Sequence, residues 1–212
     1  MNTHIVHTDF GNITLPKKYL SFSALDLFDR DIEKFRAIYY FDEPRLDTVY
    51  TRFGKNVHEK IEKDEDFQNL RLDVQEKKIF TSYKGIPLLG FIDTYSEKKA
   101  DLDFADYKTG LKPWTQERAE KSRQLPFYSL LISLSENREA NNAAIIWLET
   151  KRTEGNTTED DGVQFFDDLF NLSLSGRIET FPVSISGKDR KEMQAWIVEK
   201  ALAISDDIKN HI

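Results

Sequence analysis

Residues 86–95 and 102–109 are two short runs rich in β-branched, aromatic and leucine side chains, separated by the charged hexapeptide Ser96-Glu97-Lys98-Lys99-Ala100-Asp101. Runs of this kind on either side of a polar turn form an antiparallel hairpin. A turn centred near Lys99 brings Asp93 opposite Asp106, with β-carbons roughly 5 Å apart across the ladder. Side chains alternate along a strand, so Lys108 falls on the same face as Asp106. Two carboxylates this close can share one cation. With an ammonium beside them they suit metal-assisted phosphodiester hydrolysis, in which the lysine orients the attacking water or stabilises developing charge. Oxygen ligands of this hardness favour magnesium or manganese.

An acid two residues before a lysine is weak evidence alone, because the chain has six such pairs, beginning at Glu76, Glu97, Asp106, Glu149, Asp189 and Asp207. Most must be solvated charges. Only Asp106 follows a hydrophobic strand and has a partner such as Asp93. The competing reading makes Asp93 and Asp106 strand-end carboxylates bonded to turn amides.

At 212 residues, 1–212 reads as one domain, long enough to bury a substantial core. The longest apolar runs fall far short of a membrane span, and the N-terminus lacks the basic segment and apolar run of a secretory signal. Cytoplasm is therefore the expected location. With no cysteine, the chain has no disulfide framework, zinc ribbon or iron–sulfur cluster. A net charge of −7 argues against indiscriminate nucleic-acid affinity, so any phosphate contact needs a local patch. Lys108, Lys112, Arg118, Lys121 and Arg123 are the available cations, interleaved with Glu117 and Glu120. They form either an ordinary mixed-charge surface or such a patch.

The remaining pattern is α/β. Ser21 and Ser23 offer capping hydroxyls for a helix reaching about Tyr40, with Leu25, Phe28, Ile32, Phe35 and Tyr39 at helical spacing. A second helix is expected over 46–63. Gly54 lies on one of its faces with His58, where a glycine suggests close approach of another group. Residues 72–83 read as the first sheet strand, carrying Glu76. Thr115 caps a helix to about Ser135 in which Pro126 forces a bend or a restart, and Gln124 and Tyr128 share one face. Residues 141–151 read as a buried strand, 153–162 as an acidic loop, and 178–185 as an edge strand because of Pro182. A final amphipathic helix follows Gly187, and 163–174 has no clean period.

Four motifs in order, Gly54-Lys55-Asn56-Val57-His58, Gly90-Phe91-Ile92-Asp93, Asp106-Tyr107-Lys108-Thr109-Gly110 and Gln124 to Tyr128, resemble the motif series of the RecB-type branch of the PD-(D/E)XK nucleases. That branch includes the nuclease domains of bacterial recombination helicases and the CRISPR-adaptation exonucleases. The resemblance spans about 21–146. It implies a restriction-endonuclease-like core, a central mixed β-sheet flanked by helices. It also implies a magnesium or manganese ion held by His58, Asp93, Asp106 and the carbonyl of Tyr107, with Lys108 handling the attacking water. Gln124 and Tyr128 would hold the scissile phosphate, flanked by Arg118 and Lys121. Glu76 resembles an acid of the relatives that contacts metal through water or orients Lys108; otherwise it is a solvent-face glutamate. The chain departs from many relatives in lacking the cysteines of a cluster. The implied substrate is DNA with a free end, and the implied partners are a helicase, annealing or adaptation protein. The rival readings are an RNA nuclease and a nuclease-fold module that binds without cutting.

Overall fold

A computed structural model describes residues 3–46, 48–98, 101–154 and 170–211. The centre of the expected turn at Lys99, and most of the acidic loop expected over 153–162, lie outside these residues. The chain opens with strands β1 (His4–Thr8), β2 (Gly11–Leu15) and β3 (Leu20–Ser21), followed by helices α1 (Phe22–Arg30), α2 (Ile32–Tyr39) and α3 (Val49–Lys63). A 3-10 turn (Glu65–Leu70) leads to β4 (Val74–Tyr83), β5 (Ile86–Tyr95) and β6 (Phe104–Gly110). Then come α4 (Gln116–Glu120), α5 (Gln124–Glu136), β7 (Asn142–Glu154), β8 (Phe170–Ser184) and α6 (Gly187–His211).

The main sheet runs β3-β5-β6-β7-β8, with β4 paired to the other edge of β5. It is mixed: β5 pairs antiparallel with β4 and β6 and parallel with β3, while β6 and β7 run parallel. β1 and β2 form a separate hairpin. The fold is the expected α/β one, a mixed sheet between helices. One core joins α1, α2, α5 and α6 to the sheet through residues such as Leu25, Phe35, Phe127, Leu131, Trp196 and Ile204. A smaller core beneath α3 comprises Val57, Ile61, Ala105, Tyr107, Ala144, Ile146 and Leu148. No helix among the described residues is long and apolar enough to cross a membrane.

Two helices end earlier than their periodicity suggests. The helix expected through Tyr40 is broken at Asp31, whose backbone leaves the helical region and whose carboxylate caps α2 by accepting from the Lys34 amide at 3.0 Å. A short acid here satisfies an orphan amide and so favours a restart over continuation. The second break resolves the alternatives at Pro126 in favour of a restart, with α4 and α5 separate. Proline then sits in the first turn of α5, where its missing N–H has no intrahelical partner to lose.

The β4–β5 hairpin changes face part-way along. On β5, Ile86, Leu88 and Ile92 enter the main core at even positions, yet Tyr95 enters it at an odd one. On β4, Ile79 and Tyr83 face that core, and so does Val74. Strict alternation allows neither set. Both switches coincide at Glu76 and Asp93, which the register sets opposite each other between the pairs Gln75↔Thr94 and Lys77↔Ile92. Glu76 takes a left-handed backbone, φ 50°, which glutamate adopts only when its surroundings hold it there.

Candidate active site

The hairpin register extrapolates as expected, Thr94↔Ala105 and Tyr95↔Phe104, and one more step would pair Asp93 with Asp106. The ladder stops there. The Asp93 carboxylate turns into the gap and accepts the Tyr107 amide at 2.6 Å, so a side chain replaces the next rung. β6 diverges toward β7, and both aspartates are buried in the opening. Next to it α3 crosses β6 closely: a β-carbon on Gly54 would lie 3.3 Å from Thr109 Oγ1, which is the close approach expected of that glycine.

One turn beyond Gly54, His58 brings Nδ1 to 3.7 Å from Asp93 Oδ1, its ring edge-on to Tyr107. His58, Glu76 and Asp93 each present a ligand atom within 4.8 Å of the others. Asp106 stands beside this trio and faces Lys108, with Oδ2 2.6 Å from Nζ. That oxygen is buried, with this ammonium as its neighbour of opposite charge. A chain of contacts leads on: Lys108 Nζ donates to Gln124 Oε1 at 2.9 Å, and Gln124 Nε2 donates to the Tyr128 hydroxyl at 2.8 Å. Gly90 permits this arrangement, because a β-carbon there would lie 3.2 Å from the Tyr128 ring.

The electrostatics are those of acids crowded together away from water. Burial, reinforced by the charge of Asp106, pushes the Asp93 carboxyl well above the usual carboxylate range. Glu76 is exposed as a residue, but burial around its carboxyl raises it too, followed by the charges of Glu62 and Asp106. Burial alone would lower the Lys108 ammonium, yet Asp106 outweighs it and the net shift is upward. Burial lowers the His58 imidazole, favouring the neutral ring that can ligate a metal. Tyr107 is pushed up to about 12, mainly by burial.

These donors fit a divalent cation. Lys108 meets one oxygen of Asp106, but the buried Asp93 carboxylate and the Glu76 carboxylate crowd together with an imidazole, which is costly unless a positive charge joins them. Asp93 and Glu76, both raised above the ordinary carboxylate range, are acids that a cation would draw to the ionised form, and the lowered His58 imidazole is ready to ligate as the neutral ring.

The flanking cations separate into two groups. Arg118 stacks on Trp114, 3.9 Å from the ring centroid, and its charge reaches Lys108. Lys121 pairs with Glu117, and Arg123 with Asp29. Both line a different concavity, of about 290 Å³, with Met193 and Trp196. Lys121 is therefore not brought to the cluster around Asp93 and Lys108. Two contributors escaped the sequence reading. Glu62, one turn after His58, adds its charge to Glu76 and His58; the spacing Gly54, His58, Glu62 was the available signal. Gln75 bonds Thr94 Oγ1 at 2.9 Å and lies 3.4 Å from the Tyr107 hydroxyl, and nothing in the sequence marked it.

A mixed sheet flanked by helices, with a splayed hairpin that holds buried acids, an imidazole and a lysine, is a restriction-endonuclease-like core. The chain belongs to the PD-(D/E)XK nuclease superfamily, whose family model matches residues 19–210. Solved structures agree on the fold. A phage-related exonuclease from Haemophilus somnus 129PT aligns with TM-score 0.52 at 14% identity, covering 84% of this chain and 81% of that one. An exonuclease candidate from Eubacterium rectale aligns with TM-score 0.53 at 10% identity, covering 90% and 82%. No curated protein sequence matches the chain.

Proposed function

We propose that the chain is a magnesium- or manganese-dependent deoxyribonuclease that attacks DNA from a free end. The observation that carries this reading is the convergence of His58, Glu76 and Asp93, each with a ligand atom within 4.8 Å of the others, beside the buried Asp106–Lys108 pair. His58, Asp93 and Asp106, with the Tyr107 carbonyl, would hold the cation, and Glu76 would act through water or directly. When bound, such an ion polarises the phosphate and lowers the pKa of a water to the neutral range.

The chain's own groups do the rest. Lys108, kept cationic by Asp106, orients the attacking water and meets charge developing on the phosphate. Gln124 fixes the position of that ammonium and aligns the Tyr128 hydroxyl, so both can turn to a phosphate oxygen. Arg118, whose charge reaches Lys108 and which has no carboxylate partner among the described residues, would flank the approach with Lys112. The similarity to a phage-related exonuclease supports action on ends. A single timed digestion tests the proposal: end-labelled linear DNA, closed circular DNA of the same sequence, and RNA, each with magnesium, manganese or a chelator. Metal-dependent loss of the linear DNA first is expected. Equal initial rates on circle and line would leave an endonuclease, and no cleavage with retained binding would leave a binding module.

A further inference from the structure

The hairpin that carries Asp93 and Glu76 continues away from the site as a surface of unusual composition. Residues 77–91 contain Lys77, Lys78 and Lys84 but no aspartate or glutamate, in a chain whose net charge is −7. Within this stretch Phe80 and Phe91 are 62% and 46% exposed. The register places Lys78 opposite Phe91 and Phe80 opposite Leu89, so the two rings are diagonal neighbours on one face. That face is opposite to the one on which α5 packs against Gly90. Lys78 Nζ stands 6.0 Å from the centre of the Phe91 ring. Among the described residues β4 pairs with β5 alone, so the face runs to the edge strand of the described sheet.

We infer that Phe91 and Phe80, with Lys78 between them, form a stacking platform for unpaired bases of the DNA strand entering the site. This inference rests on the nuclease reading and names the substrate form that site would take. Large exposed aromatic side chains cost solubility unless a ligand covers them. Every base offers a flat face to a phenyl ring, and a neighbouring ammonium answers the backbone phosphate. Continuity also favours this occupant, because Phe91 is two residues from Asp93 on the same strand. A base stacked there sets the next phosphodiester toward the carboxylates. Blunt duplex cannot use the rings, since its bases are already stacked on each other.

The test is equilibrium binding in chelator at fixed low salt, which needs no cleavage and therefore stands or falls separately from the nuclease reading. The probe is a fluorescein-labelled oligothymidylate, with a blunt self-complementary hairpin of similar charge as comparison. Phe91→Leu and Phe80→Leu, which keep apolar bulk and remove the ring, are each expected to weaken oligothymidylate binding on the order of tenfold. The effect on the blunt hairpin is expected to be much smaller. Phe91→Tyr retains the ring and is expected to retain affinity. Lys78→Ala is expected to lower the salt slope by about one counterion. Phe41→Ala, an exposed ring on another surface, is the control. Equal losses on both probes, or none on either, would overturn the platform. So would a wild-type dimer in sedimentation that Phe80→Leu dissociates without altering oligonucleotide affinity, which would assign the face to a second copy of the chain.

Discussion

Gly90 is where the packing of the fold and the layout of the site meet, and Gly90→Ala should damage both. A β-carbon built on Gly90 lies 2.5 Å from Leu131 Cδ1 and 3.2 Å from Tyr128 Cε1. The first distance is impossible, so Leu131, α5 or β5 must move. Alanine would otherwise be favoured in a strand interior by roughly 0.5–1 kcal/mol, since glycine loses more backbone freedom on folding. Leu131 and its neighbour Leu130 are fully buried, which leaves little room for the leucine to swing aside. Overpacking a core by one methyl costs typically about 1–3 kcal/mol, which exceeds the glycine penalty. For a chain of this length each kcal/mol shifts Tm by roughly 2–4 °C, so a fall of several degrees is expected.

A double-mutant cycle separates the cause from general damage. Leu131→Ala removes the clashing atom and should cost about 2–5 kcal/mol alone. Combined with Gly90→Ala it should cost less than the sum, by about the Gly90→Ala penalty, because the new methyl then fills part of the cavity. Denaturant melts of the four proteins give the coupling directly. Additive losses, or a Gly90→Ala protein as stable as the parent, would refute the close-approach reasoning. Because Tyr128 Cε1 is the second neighbour, any surviving Gly90→Ala protein should also cleave more slowly.

Other perturbations have equally definite outcomes. Asp106→Ala should abolish metal-dependent cleavage and leave the circular dichroism spectrum unchanged; wild-type cleavage by this variant would refute the site. Asp93→Asn should likewise inactivate, yet raise Tm in chelator, because it removes a buried acid held far above its ordinary pKa while an amide oxygen can still accept from Tyr107. Lys108→Ala should leave calorimetric metal affinity nearly normal and slow the single-turnover chemical step; the reverse pattern would contradict its role. Asp207, held below the usual carboxylate range chiefly by the Arg36 guanidinium, ties α6 to α2 with help from the Tyr40 hydroxyl. A depressed carboxyl contributes stability above its unfolded pKa, near 4, and loses it as pH falls through the folded value. Asp207→Asn should therefore lower Tm at neutral pH, and the difference should close in acid below pH 4.

What could be read from the sequence was local. The β5 bounds, the capping by Ser21 and Thr115, and the register that sets Thr94 against Ala105 follow from alternation, cap chemistry and turn length. The break at Asp31 was hidden because Leu25, Phe28, Ile32 and Phe35 keep helical spacing across it. Periodicity does not record that one aspartate is capping the next helix. The fate of Arg123 was hidden for a different reason: its carboxylate partner is Asp29, which lies 94 positions away in the chain, whereas Lys121 pairs with Glu117 on its own turn. Charge counts in a sequence window cannot distinguish a cation facing a groove from one already neutralised by another element.

The geometry of the candidate site depends most on a feature that alternation rules could not supply. With strict alternation and a continuous ladder, Asp93 would complete a rung with Asp106, and its carboxylate would have no reason to meet the Tyr107 amide. The face switch at Glu76 and Asp93 changes this. It ends the β5–β6 ladder at Thr94, frees the Tyr107 amide for a carboxylate, and leaves a gap that His58 enters from α3. Glu76 bears the local cost as a left-handed residue on an otherwise extended strand, φ 50°. The same switch leaves Phe91 facing outward while Tyr95, four positions later, is buried in the main core. Restoring ordinary alternation should therefore do more than relax one residue. It should re-form the missing rung, turn Asp93 away from His58, and separate the aromatic surface from the acids it now adjoins.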